Sequence, residues 1–111
     1  MLRESHSAIV ARNEVWRGSI ATEPYEAGWA AEAIVFVRAL EIVGMAGGEA
    51  RVQISPDGMR WADEGTRFPL PTAADAVTFG RVREFGAWLR IAAELPEGAT
   101  IKALVTISLK A

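Results

Sequence analysis

The chain has 111 residues, a formal net charge of −2 and 50% apolar residues, which is the size and composition of one globular domain with a core of its own. It contains no cysteine and one histidine. Disulfide staples, thiolate nucleophiles, cysteine-held zinc or iron–sulfur centres and a multi-histidine metal cage are therefore excluded, and neither a cofactor nor a metal site is expected. The weakly acidic balance argues against a nucleic-acid partner gripped by a basic field.

The chain opens Met1-Leu2-Arg3-Glu4-Ser5-His6-Ser7, without the apolar run of roughly 7–15 residues that a secretory signal carries. The most apolar stretch, 33–43, is interrupted by Arg38 and Glu41 and falls short of the roughly 20 residues of a membrane helix. The expected location is the cytoplasm or a virion, with no membrane contact. Residues 1–14 read as an N-terminal arm and 15–111 as a single β-domain. Ile9-Val10 is a short lead-in, and Val15 to Thr22 reads as a strand with Trp16 and Ile20 as its apolar residues.

Punctuation by glycine and proline follows at Glu23-Pro24, Gly44 to Gly48, Pro56-Asp57-Gly58, Pro69 to Thr72 and Pro96-Glu97-Gly98. Short segments between such turns suit an antiparallel β-sandwich better than βαβ units. The segment 32–43 is apolar on both faces: Ile34, Phe36, Leu40 and Ile42 share one, and Ala33, Val35, Val37, Ala39 and Val43 the other. A sandwich strand meets the core with one face only, so the second needs a cover, either the N-terminal segment or another subunit.

A hairpin is expected next. Val52 and Ile54 alternate with Arg51, Gln53 and Ser55, and Pro56-Asp57-Gly58 suits a type I turn with a glycine bulge. If Ser55 faces Gly58, then Ile54 faces Met59 and Val52 faces Trp61, which places Val52, Ile54, Met59 and Trp61 inside and Arg51, Gln53 and Arg60 outside. A strand over 77–82 is expected to be disturbed at Gly80. In 85–95, Ala87, Leu89, Ile91 and Ala93 line one face, and Trp88, Arg90, Ala92 and Glu94 the other. The last strand is the clearest: Ile101, Ala103, Val105, Ile107 and Leu109 alternate with a polar face that only Leu104 interrupts. The fold class is all-β, an antiparallel, jelly-roll-like sandwich of about seven or eight strands.

No nucleophile elbow, P-loop or dinucleotide fingerprint occurs, and His6 stands without a recognisable nucleophile or orienting partner. The carboxylates Asp63, Glu64 and Asp75, with Glu23 and Glu26 elsewhere, read as solvated loop residues. Calcium near Asp57, Asp63 or Glu64 has no supporting ligand spacing. Arginine outnumbers lysine ten to two, and a solvated sheet face or intersubunit pairing accounts for that better than nucleic acid does. Of the four tryptophans, Trp61 reads as core, while Trp88, with Arg90 on the same face, reads as an interface anchor or a surface platform. Tyr25 and Trp29 lie in the loop Glu23-Pro24-Tyr25-Glu26-Ala27-Gly28-Trp29.

The stretch Ser55-Pro56-Asp57-Gly58-Met59-Arg60-Trp61 resembles the Ser-Xaa-Asp-Gly-Xaa-Xaa-Trp hairpin of discoidin-like, galactose-binding-like jelly rolls. The later Gly86-Ala87-Trp88-Leu89-Arg90-Ile91 resembles their aromatic-Xaa-Arg-hydrophobic strand, and similar hairpins occur in small phage virion proteins. The resemblance implies the fold. Its matched residues are a turn, a tryptophan and a strand, so it transfers no binding residue. The expected function is that of a non-enzymatic structural or assembly protein, a homo-oligomer in a virion or protein shell, with Val35, Val37, Trp88 and Leu104 at the subunit interface and other shell or virion proteins as further partners. The alternative is a carbohydrate-binding module that holds a glycan with Tyr25, Trp29, Trp88 and Arg90. A small hydrolase comes third.

Overall fold

The computed structural model describes residues 5–44 and 47–111. Among the described residues there are nine strands and no helix: β1 (Ser5–Trp16), β2 (Ser19–Ala21), β3 (Tyr25–Glu26), β4 (Glu32–Val43), β5 (Glu49–Ser55), β6 (Ala62–Pro69), β7 (Val77–Arg83), β8 (Trp88–Glu94) and β9 (Thr100–Lys110). None of these residues belongs to a helix long and apolar enough to cross a membrane. Sheet A has the order β1-β9-β4-β7 and sheet B the order β2-β8-β5-β6, with the two-residue β3 also on β8. Within the sheets the first strand therefore lies beside the last, the second beside the last but one, β4 beside β7 and β5 beside β6, all antiparallel. That is one long hairpin rolled over on itself, the jelly roll.

The core lies between the sheets. β9 carries it as the alternation requires, with Ile101, Ala103, Val105, Ile107 and Leu109 buried. β8 contributes Leu89, Ile91 and Ala93, and β5 contributes Ala50 and Val52. Trp16, at the end of β1, is the tryptophan of the core, at 2% exposure.

Four expectations are corrected. The stretch expected as an N-terminal arm is, from Ser5 onward, most of β1, paired along β9 from Ser5↔Lys110 to Trp16↔Ile101. Its ladder is interrupted between Ile9 and Ala11 and between Ala11 and Glu14, where Asn13 has φ +55°; such irregularities bend an edge strand and blunt it as a template for further pairing. Second, β7 runs unbroken through Gly80, which faces Val35. A Cβ at Gly80 would lie 2.6 Å from Cδ1 of Phe68, so the missing side chain lets the Phe68 ring of β6 pack against β7. Beside it, Thr66 Oγ1 donates to the Arg81 carbonyl at 3.1 Å, tying the rims of the two sheets together.

Third, the face of β4 turned to the core is the other one. Ala33, Val35, Val37 and Ala39 are inside, Val35 and Val37 with no exposure at all, and they are therefore unavailable to a second subunit. Phe36 stands opposite Thr106, on the polar face of β9, and cross-strand partners share a face. An irregularity between Ala39 and Glu41 then turns Ile42 inward, opposite Ile101, and leaves Val43 63% exposed.

Fourth, the hairpin register is shifted. Ile54 faces Ala62 rather than Met59, and Gln53 faces Asp63. Gly58 does have positive φ, +79°, but the turn is closed by side chains. Ser55 Oγ accepts from the N–H groups of Asp57 (3.2 Å) and Gly58 (2.8 Å), and Asp57 Oδ1 accepts from those of Met59 and Arg60, both at 2.9 Å. With their N–H groups taken by Asp57, Met59 and Arg60 do not extend the ladder. Pairing resumes at Ala62, three residues later than expected, and an odd shift exchanges the two faces. Met59 is accordingly 79% exposed, and Trp61 is half-buried on the outer side of sheet B.

Candidate functional site

The candidate site is built on the two outer sheet faces. Sheet A presents one row of side chains across all four strands: Ile9 (β1) faces Thr106 (β9), which faces Phe36 (β4), which faces Phe79 (β7). The Phe36 and Phe79 rings are 6.0 Å apart and tilted by 41°. Arg81 lies 5.0 Å from the Phe79 ring centre. The adjoining rows add Ile34 on one side and Leu104 and Val77 on the other. Ile9 and Phe79 are each 47% exposed and Val77 52%. Ion pairs fringe the patch, Arg38 with Asp75 at 2.8 Å and Arg83 with Glu32 at 3.6 Å.

Sheet B presents a polar ladder. Arg90 Nε donates to Gln53 Oε1 (2.8 Å), and Gln53 Nε2 donates to Asp63 Oδ1 (2.9 Å), which also accepts from Arg51 Nε (3.2 Å). Arg51 reaches on to Glu94 at 3.5 Å, and Arg67 pairs with Glu49 at 2.9 Å. The Gln53 amide, helped by Arg51 and Arg67, holds the Asp63 carboxyl below its ordinary range, and Glu49 raises Arg67. The Arg90 guanidinium lies 4.3 Å from the centre of the Trp61 ring. Burial, and then the like charge of Arg51, lowers its affinity for the proton, although an arginine stays charged through such a change. Trp88, two residues before Arg90 on the same face of β8, faces Ser55 and Glu26 and lies under Gly58, whose Cβ, if present, would be 3.4 Å from the indole. At the adjoining turn the N–H of Arg60, then that of Met59, with help from Ser55 and the Arg60 side chain, holds the Asp57 carboxyl down at about 2.

The expected sugar-binding set is thus divided. Trp88 and Arg90 stand on the outer face of sheet B. Tyr25, opposite Leu89, packs against the core and shares a shallow hollow with the 42%-exposed Trp29 and with Ser5 and His6 at one end of the sandwich. Of the expected interface residues, Leu104 is on the outer face of sheet A, Trp88 is on the opposite sheet, and Val35 and Val37 are in the core. The carboxylates weighed for calcium are held by separate local donors: Asp57 by the turn, Asp63 by Gln53 and Arg51, and Glu64 by Thr66.

The sequence reading missed Ile9, Ile34, Phe36, Val77 and Phe79 on sheet A, and Trp61 and Gln53 beside Arg90. A usable signal existed for β4. Its core face is small, Ala33-Val35-Val37-Ala39, and its other face carries the phenylalanine; pairing β4 with the polar face of β9 would have turned Phe36 outward.

No protein-family model and no curated protein matches this chain. Among solved structures it is similar to the SPBc2 prophage-derived protein YomS, with a TM-score of 0.65 at 8% identity over 100% of this chain and 96% of that one. It is similar to the PBSX exported protein XepA, with a TM-score of 0.54 at 13% identity over 98% of this chain but 36% of that one. The K2 cleaved adhesin domain of Lys-gingipain aligns with a TM-score of 0.51 at 10% identity over 93% of this chain and 69% of that one. At these identities the likeness is one of fold.

Proposed function

We propose that this protein is a non-enzymatic structural subunit that assembles with further copies of itself through the outer face of sheet A, as part of a virion or another protein shell. The observation that carries the reading is the row Ile9-Thr106-Phe36-Phe79, a largely apolar band across a four-stranded sheet that no other strand of the described residues covers. A soluble monomer rarely leaves such a band open. Of the N-terminal segment that could cover this face, residues 5–14 lie in the sheet as β1 and not across it. A second copy brings an equally apolar surface, and closed symmetry is the common way to satisfy both. Burial returns about 25 cal/mol per Å² of apolar area, which is the term that works against the cost of association. The prophage origin of one fold neighbour, YomS, is in keeping with a role in a phage particle.

The test is mass in solution. Light scattering at micromolar concentration should give a multiple of the 12.0 kDa chain mass, and the double variant Phe36→Ser/Phe79→Ser should return it to one chain with its melting temperature retained. A wild-type protein that stays at the chain mass throughout would sink the reading.

A further inference from the structure

The outer face of sheet B holds a cation, Arg90, that no carboxylate among the described residues neutralises. Arg51, Arg60 and Arg67 each have a carboxylate within ion-pair distance, whereas among the described residues none lies that close to Arg90. The side chain is nevertheless held in place. Its Nε is engaged by Gln53, its guanidinium carbon lies over the Trp61 ring, and Gln53 is itself fixed through Asp63 to Arg51. A guanidinium oriented by a ring and a hydrogen bond, with its terminal nitrogens unspent, is ready to grip a carboxylate with two parallel bonds. Trp88 stands two residues away on the same strand face, about 7 Å along β8, close to the width of one pyranose ring. Indoles take the C–H face of a sugar, and Gln53 and Asp63 offer planar polar groups for its hydroxyls.

We propose that this face binds an acidic sugar, a glycan unit bearing a carboxylate, with Arg90 as the anion donor, Trp61 and Trp88 as the apolar contacts and Gln53 as the group that positions Arg90. The occupant follows from the charge left uncompensated at Arg90 and from the indoles beside it. A bare inorganic anion would have no use for the indoles, and a neutral sugar would leave the guanidinium unmatched. The site is open and flat, so the affinity belongs in the weak range of a single sugar contact. This proposal is independent of assembly through sheet A, on the opposite side of the sandwich.

The full chain would be titrated with trigalacturonic acid, with N-acetylneuraminic acid, with neutral galactose and with acetate, following amide and indole NMR shifts. At least one acidic sugar should shift the signals of Gln53, Trp61, Trp88 and Arg90 at concentrations about tenfold lower than galactose requires, the weight of a charge-assisted contact. R90Q should abolish that preference and W88A should weaken all sugars together. If R90Q does not fold, the contrast between acidic and neutral sugars on the wild type decides alone. No shift at these residues with either acidic sugar, an equal response to galactose, or an equal response to acetate (an adventitious ion only) would each overturn the proposal. A change of oligomeric mass in a folded R90Q would overturn it too, by giving the face to a second copy.

Discussion

The outer faces of the two sheets are made by the same kind of strand, yet they are finished differently. On sheet B the outward charged side chains each have a fixed polar or aromatic neighbour: Arg51 has Asp63 and Glu94, Arg67 has Glu49, and Arg90 has the neutral Gln53 and Trp61. On sheet A the outward apolar residues touch mainly each other, as Phe36 touches Phe79, and half of the Phe79 surface is left open. A sandwich that works alone needs two polar exteriors. This molecule completes one of them, and that difference is the ground for proposing packing with another surface on sheet A and polar recognition on sheet B.

The sharpest break of the comparison sets an inward residue of sheet A against an outward one. Ile107→Ala empties a site with no exposure and should cost about 2–5 kcal/mol of stability, seen in chemical denaturation of the chain. Phe36→Ser, one strand away but outward, should lower self-association while leaving the unfolding transition of the dissociated chain close to the wild type. A large loss of monomer stability in Phe36→Ser would place that ring in the core and dissolve the contrast.

A smaller effect is expected at the turn that shapes the end of sheet B. Gly58→Val places a β-branched residue at φ +79° and brings a Cβ to 3.4 Å from Trp88, which should destabilise by about 1–2 kcal/mol for the backbone alone. The Trp88 indole signal should move with it. An unchanged melting temperature would show that the turn does not need its glycine.

Asp57 sharpens the comparison through pH. Its carboxyl is held near 2, against 3.8 for the ordinary group, so the folded state favours the charged form. Its contribution to stability is complete above about pH 4 and is lost as pH falls through about 2. Asp57→Ala should therefore melt below the wild type at neutral pH, and the gap should close as the solution is acidified through that window. A gap that is constant across pH would mean that the carboxylate does not organise the turn. The smallest effect belongs to the surface ladder: Arg67→Gln should lower the melting temperature slightly, and less still in high salt, because exposed pairs are screened.

Strands with one strict alternation were legible from residues alone. β9 and β8 lie where period-two patterning put them, with the expected faces inward, because a pleated strand allows only two directions for its side chains. β4 shows the limit of that rule. Its two sets of residues were separable, but which set is inward depends on the neighbouring strand, and Phe36 is outward because β9 turns Thr106 toward it. The turn shows a second limit. Pro56-Asp57-Gly58 marked its place, while the reach of the Asp57 carboxylate over Met59 and Arg60 set its length, and with it the side on which Trp61 emerges.

For the candidate sites the division is similar. Trp88 and Arg90 were recognisable as a pair because they share a strand at a spacing of two. Gln53 and Trp61 joined them only when β5 came to lie beside β8 and the turn was lengthened. Tyr25 and Trp29 were separated from them because β3 turns Tyr25 toward the core. The amino-acid order alone determined an all-β chain, its turns, the alternation of its strands and the exclusion of cysteine and multi-histidine chemistry, since all of these are local or compositional. Tertiary structure decided that residues 5–14 form a strand, that Ile9, Phe36 and Phe79 make one row, and that Arg90 meets Gln53 and Trp61 rather than a carboxylate among the described residues. Each of those facts depends on which distant strand lies alongside, and that is settled by how the rolled hairpin closes its core.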